Sequence, residues 1–253
     1  MTFKFLCLNL WEGGKLFDEV LAFIRIEQPD VIAFQEVCDG HDPLWERNFR
    51  SMEVLRKELA YPFDDFAPCF VKHGPSGKVV VGNAIFSRFP ILDRGVTFFD
   101  IPFGERPEET EAFYPITPRN LQRVALDING ESVQIFNTQG IWGTDGRDHA
   151  RRLEMGRVIA DEVSRYPRVV LAGDFNVNPD TQTITQIERH LSSVFKEELE
   201  STFNMQHKTN PNFATAVVDM IFVSPTLRVS AHTCPAANVS DHLPLLATIA
   251  MDA

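Results

Sequence analysis

The chain has 253 residues, of which 44% are hydrophobic, and a formal net charge of −11. That length and composition can bury an ordinary core, and no Gly/Ser-rich or charged linker divides the chain, so residues 1–253 are expected to form a single domain. The acidic balance argues against broad, non-specific binding to nucleic acid, which depends on Lys and Arg neutralising phosphates. It does not exclude a nuclease, because a bound divalent metal supplies positive charge locally.

Taken in order, Thr2–Asn9 alternates as a strand, with Phe3, Phe5, Cys7 and Asn9 on one face and Leu6 and Leu8 on the other. Apolar residues on both faces predict a strand covered on both sides. Lys15–Glu27 has helical spacing through Leu16, Val20, Phe23 and Ile24, and Pro29 ends it. Val31–Phe34 is a short buried strand, and Trp45–Leu59 a further helix. The pattern then turns to β: Tyr61–Val71 and Lys78–Phe86 are expected to pair, and Val96–Ile101 follows. Pro102–Pro118 is rich in Pro and Glu and reads as a long loop, of a length usually functional or mobile. Arg119–Ile128 and Val133–Thr138 form a predicted hairpin around Asn129-Gly130. Asp148–Arg165 is a charged helix, with Leu153, Ile159 and Val163 inward, and Val169–Ala172 is a buried strand. Thr181–His190 is a short helix, and Val217–Val223, Leu227–Cys234 and Leu245–Ala250 are strands.

The strand Val169–Ala172 runs into Gly173-Asp174-Phe175-Asn176, with Asn178-Pro179 beyond. A carboxylate and a carboxamide thus stand at the end of a buried strand, where rigid scaffolds tend to place chemistry. Taken alone, the stretch is equally a strand-ending turn, using the backbone habits of Gly, Asp and Asn. Strand geometry would point Asp174 and Asn176 one way and Phe175 into the core. Asp219 lies inside the apolar strand Val217–Phe222 and needs a partner there, because an unpaired buried carboxylate is costly. Cys7, Cys38, Cys69 and Cys234 show no metal-ligand spacing and are expected to be buried free thiols. The N-terminus lacks a long apolar stretch and a cleavage-site pattern, so a cytoplasmic protein with no transmembrane segment is expected.

Leu8-Asn9-Leu10-Trp11, Phe34-Gln35-Glu36, Gly173–Asn176 and Ser240-Asp241-His242-Leu243-Pro244, in that order, resemble the endonuclease/exonuclease/phosphatase superfamily. Each motif alone is weak, whereas the ordered set spans nearly the whole chain. Pattern alone predicts a mixed α/β domain. The resemblance implies a four-layer α/β/β/α sandwich, two mixed sheets packed face to face with outer helices. It implies a divalent-metal-dependent phosphodiesterase or phosphatase using Mg²⁺ or Mn²⁺. Glu36 and Asp241 would hold the metal with Asn9 beside it, a donor set of hard oxygens. Asp174 would activate water, Asn176 would hold the attacked phosphoryl oxygen or a metal-bound water, and Asp219 would orient His242 against the phosphate. Gln139, in Asn137-Thr138-Gln139-Gly140, departs from the pattern, because many members carry His there. An amide donates a hydrogen bond but carries no proton charge near neutral pH. On that basis Gln139→His is expected to raise turnover on a generic diester. Asn83, Arg119 and Trp142 are candidates for the rim, with surface or packing roles as the alternative. A small molecule or lipid headgroup is favoured slightly over DNA or RNA as substrate. A nuclease, and a non-catalytic binding protein on the same scaffold, are the alternatives. Neither the substrate nor the oligomeric state is legible in the sequence.

Overall fold

In a computed structural model, residues 1–106 and 116–251 are described. The tip of the long Pro- and Glu-rich loop therefore lies outside the described residues. Strand β1 (Thr2–Asn9) leads through a helical turn, α1 (Trp11–Gly14), into helix α2 (Phe17–Glu27) and strand β2 (Val31–Asp39). Helix α3 (Ser51–Leu59) precedes β3 (Phe63–His73), β4 (Lys78–Ser87), β5 (Ile91–Phe98) and the short β6 (Gly104–Glu105). The hairpin β7 (Asn120–Ile128) and β8 (Glu131–Gln139) is followed by α4 (Ala150–Val163), β9 (Val169–Asp174) and α5 (Gln182–Glu188). The chain then runs through β10 (Ser192–Ser193), β11 (Asp219–Val223), β12 (Leu227–Thr233) and β13 (Leu245–Met251).

These strands form a seven-stranded sheet, β12-β13-β1-β2-β4-β3-β6, and a six-stranded sheet, β10-β11-β9-β8-β7-β5. Both are mixed: β1 pairs parallel with β2 and antiparallel with β13, and β9 pairs parallel with β8 and antiparallel with β11. Period-two alternation decides the layers. Phe3, Phe5 and Cys7 face the other sheet, where they meet Val124, Ile135, Val170 and Ile221. Leu6, Leu8, Ile32 and Phe34 face outward, and Val20, Leu21 and Ile24 of α2 cover them with Met52 and Leu55 of α3. On the second sheet, Phe136, Val169, Leu171 and Phe222 are covered by Met155, Ile159 and Val163 of α4 and Ile184 and Ile187 of α5. The result is the four-layer α/β/β/α sandwich.

Local differences from the sequence reading have physical causes. Only Ser51–Leu59 of the expected Trp45–Leu59 helix is α-helical, preceded by a 3₁₀ turn over Arg47–Arg50. Trp45 instead packs with Phe49 and hydrogen bonds Ser76, so tertiary contacts outweigh helical spacing there. The Asn129-Gly130 turn is as expected, with both φ angles positive (56° and 86°). Helix α4 turns Met155 inward while Leu153 is only half-buried. Its Arg152, which the sequence pattern places on a charged helix, has no exposure at all. All four cysteines are free thiols.

Candidate active site

Strand register gathers the candidate residues at one end of the sandwich. Gln139 of β8 pairs with Asp174 of β9, and Asp174 pairs with Asp219 of β11, so these side chains form one row. On the facing sheet Asn9 pairs with Gln35, which brings Glu36 to the same end. Glu36 leaves the β2–β4 ladder where its register skips between Phe34 and Val37, and it has a left-handed φ of 59°. Trp11, Glu12 and Asn176 share that left-handed conformation (φ 57°, 50° and 57°), and all of them line the cleft. Such backbone costs about 1–3 kcal/mol per residue and collects at functional sites. Gly140 is required for a different reason. Its N–H donates to the Asp174 carbonyl at 2.6 Å, and an added Cβ would stand 2.1 Å from the Phe175 carbonyl oxygen.

The cleft encloses about 600 Å³ and is lined by Glu36, Asp174, Asn176, Asp241 and His242 among others. Asp174 Oδ1 accepts from the Asn176 N–H at 3.0 Å, and Oδ2 accepts from Asn9 Nδ2 at 3.1 Å and Asn176 Nδ2 at 3.3 Å. Burial lifts the Asp174 pKa to about 6; His242 opposes the rise, and Asp219 and Glu36 add to it. His242 Nδ1 lies 2.8 Å from Asp219 Oδ2. Burial alone would push this imidazole towards neutrality, but the charge and hydrogen bond of Asp219, with Asp241 and Asp174, lift its pKa to about 10. Phe203 packs against the imidazole at 4.7 Å between centroids, the two rings tilted by 54°. Phe175 is buried in the core, as the alternation predicts.

Glu36 is held by three donors. Oε2 accepts from the Glu12 N–H at 2.7 Å, and Oε1 accepts from Gln139 Nε2 at 2.7 Å and Asn9 Nδ2 at 3.2 Å. Burial raises its pKa, but the Glu12 amide, the His242 charge, Asn9 and Arg119 outweigh it and keep the carboxyl below its ordinary value. Asn9 Oδ1 accepts from the Trp11 N–H at 2.9 Å, so the Asn9 side chain meets the site through its NH₂ group. Asp241 Oδ2 is engaged by Lys208 Nζ at 2.5 Å. Asp174, Asp219 and His242 place one atom each within 4.8 Å of one another. The direct Asp219–His242 hydrogen bond makes that group an oriented imidazole rather than a ligand set.

The candidate rim residues separate. Trp142 lines the cleft. Asn83 does not: it has no exposure and donates to Asn120 Oδ1 at 3.0 Å, tying the two sheets together. Arg119 is 6% exposed, and its Nη1 donates to Gln139 Oε1 at 2.5 Å. Gln139 therefore works at both ends, accepting from Arg119 and donating to Glu36. This removes the ground for a gain from Gln139→His, because a protonated imidazole would face the Arg119 guanidinium. If Glu36 holds a metal, as the resemblance implies, the expected outcome is instead about a tenfold loss in metal affinity and in turnover, the size of effect typical of a partner that orients a ligand. Titration with Mn²⁺ beside a rate measurement checks it, and a rise in both would reverse it.

The profile of the "Endonuclease/Exonuclease/phosphatase family" matches residues 6–242. The chain belongs to this family. No curated protein matches the sequence. Among solved structures, an endonuclease/exonuclease/phosphatase from Beutenbergia cavernae DSM 12333 superposes with a TM-score of 0.78 at 21% identity, covering 99% of this chain and 72% of the other. A Bacteroides thetaiotaomicron mannosyl-6-phosphatase gives 0.72 at 17% identity, over 98% and 100% of the two chains. D. rerio TDP2 complexed with a single-strand DNA product gives 0.73 at 15%, over 99% of each. At these identities the likeness is one of fold.

Within this family member several site residues have no signal in the sequence. Lys208 and Phe203 belong to a segment bonded to the Ser240–His242 turn: Asn204 N–H donates to the Asp241 carbonyl at 2.9 Å, and Leu243 N–H to the Thr202 carbonyl at 2.7 Å. Arg152 fixes the cleft loops by donating to the carbonyls of Ile141 (2.9 Å), Arg147 (2.6 Å) and Asn176 (2.6 Å).

Proposed function

We propose that this chain is a divalent-metal-dependent phosphoesterase that hydrolyses a phosphate ester with activated water. The observation that carries the reading is the pairing of two groups in one cleft: a buried carboxylate, Asp174, that accepts from Asn9 and Asn176, and an imidazole, His242, held at 2.8 Å by Asp219. Groups with such opposed tasks are what acid–base chemistry at neutral pH needs. Asp174 takes a proton from the attacking water. Asn176 donates to a phosphoryl oxygen. His242 presents positive charge to the phosphoryl or leaving oxygen.

The donor chemistry fits a hard cation. Glu36, Asp174 and Asp241 line the same cleft and offer it hard carboxylate oxygens. Glu36 and Asp241 would hold Mg²⁺ or Mn²⁺, with Lys208 first releasing Asp241 Oδ2. When bound, the ion supplies charge for the phosphoryl and leaving oxygens. The acidic surface supports a small phosphate ester or lipid headgroup over polymeric nucleic acid. Trp11 and Trp142 in the cleft give the nuclease reading its support, as platforms on which a base stacks. Among the described residues no helix is long and apolar enough to cross a membrane. The free cysteines support a reducing compartment, the cytoplasm.

A panel of sugar phosphates, nucleotides, oligonucleotides and phospholipids, run with Mn²⁺ and with EDTA, tests the reading. EDTA-resistant hydrolysis would contradict metal dependence, and no hydrolysis of any member would contradict the enzyme itself. Glu36→Ala is expected to weaken Mn²⁺ binding by more than the roughly 10–100-fold typical of losing an outer-sphere partner. Wild-type affinity by calorimetry would remove Glu36 from the ligand set.

A further inference from the structure

Arg119, Arg106 and Lys72 line one arm of the same cleft, and each is nearly buried, with exposures of 6%, 7% and 6%. The phosphoesterase reading uses Arg119 only through Gln139 and Glu36, and gives Arg106 and Lys72 no task. Their positions follow from the strands. Phe70 and Lys72 are both on β3. Arg106 follows β6, and its N–H donates to the Val71 carbonyl at 2.6 Å. Arg119 immediately precedes β7. The Arg106 and Arg119 guanidinium carbons stand 4.6 Å and 5.6 Å from the centre of the Phe70 ring. Phe70 therefore anchors two guanidinium groups that would otherwise repel each other.

Arg119 is the informative member. Among the described residues it has no ion pair, its single hydrogen bond goes to the neutral oxygen of Gln139, and its buried Nε has no partner. Burial and the neighbouring Arg106 push its pKa down, against the pull of Cys69, Glu36 and Asp174. Burying a cation without an anion is costly, and a guanidinium edge matches the oxygens of phosphate or carboxylate. Gln139 links Arg119 to Glu36, so an anion on Arg119 would lie about one side chain's length from the metal ligand.

We infer that this arm is a second anion subsite and that the substrate carries, besides the reacting phosphate, another anionic oxygen group, phosphate or carboxylate, bound by Arg119 and Arg106 with Lys72 beside them. The inference rests on the phosphoesterase reading for the position of the first phosphate.

Non-hydrolysable ligands separate the two claims. Propylphosphonate offers one anionic group, propane-1,3-bisphosphonate adds a second phosphonate, and 4-phosphonobutyrate adds a carboxylate. In calorimetry on the Mn²⁺-loaded protein, at least one of the two-anion ligands should bind about tenfold tighter than propylphosphonate, the scale of added charge-assisted hydrogen bonds. The better of the two identifies the second group. Arg106→Gln should erase that gain, and Arg106→Lys, which keeps the charge and guards against misfolding, should retain part of it. Equal binding of all three ligands would overturn the second subsite and leave the phosphoesterase reading standing. A gain that survives both Arg106→Gln and Arg119→Gln would also overturn it, by placing the second anion elsewhere. Failure of propylphosphonate itself to bind would count against the reading beneath.

Discussion

Replacing Asp174 with Asn is expected to lower turnover by about 10²–10⁴-fold, the usual contribution of a positioned general base. The substitution keeps the shape of the side chain at the end of β9. It removes the only property the neighbouring amides do not have, which is affinity for a proton near neutral pH. Stability should move the other way. The folded carboxyl has a pKa of about 6, above its ordinary value of 3.8, so it binds protons more tightly in the fold than unfolded. Its contribution is thus full below the unfolded value and is lost as pH rises through about 6. Asn has no charge to bury, so the variant should lose less stability than the wild type between pH 5 and pH 8, even though its NH₂ meets donors that the carboxylate accepts from. Single-turnover rates and thermal melts at pH 5 and pH 8 measure both effects. A rate within about threefold of wild type would reduce Asp174 to a turn residue.

The second large effect belongs to His242. Removing one preorganised electrophilic donor typically costs about 10²–10³ in turnover, and His242→Gln should fall in that range. The sharper test is Asp219→Asn. With Asp219 in place the imidazole stays charged up to about pH 10, so its stabilising pairing is present at neutral pH and is lost as pH rises through that value. Without the carboxylate, burial is opposed only by Asp241 and Asp174, so the imidazole gives up its proton at lower pH. Activity of Asp219→Asn should therefore decline on the alkaline side at lower pH than that of the wild type, which holds until near pH 10. Superimposable pH profiles of kcat/KM would show that Asp219 only packs against the ring.

Much of this arrangement was legible because it depends on short periods. Alternation in Thr2–Asn9 separates Phe5 from Leu6, and the same alternation sends Phe175 inward. The four motifs stand at strand ends, which local pattern locates well. What was not legible depends on partners far along the chain. Arg152 carries the charge of a surface residue, yet its hydrogen bonds reach carbonyls at Ile141, Arg147 and Asn176, so it belongs inside. Asn83 has the composition of a rim contact and instead satisfies Asn120 on the opposite sheet. Lys208 sits in a segment without periodicity, and it reaches the cleft through contacts distant in sequence, its pairing with Asp241 among them. Gln139 signalled a departure, but the meaning of that departure lay in Arg119 and Glu36, neither of which is near it in sequence.

The position of β1 also bears on when the site comes into being. This first strand lies between β2 and β13, and Ser240 Oγ donates to the carbonyl of Asn9 at 2.7 Å across a separation of 231 residues. Contacts of such long range are slow to form, because the loop they close must be ordered before they repay it. During synthesis β1 emerges early, yet one of its edges has no partner until residues 245–251 follow. Glu36 can be exposed on a growing chain long before His242 exists to face it. Catalytic competence is thus a late event in the life of each molecule, and onset of activity reports closure of the seven-stranded sheet better than any measure of helix content.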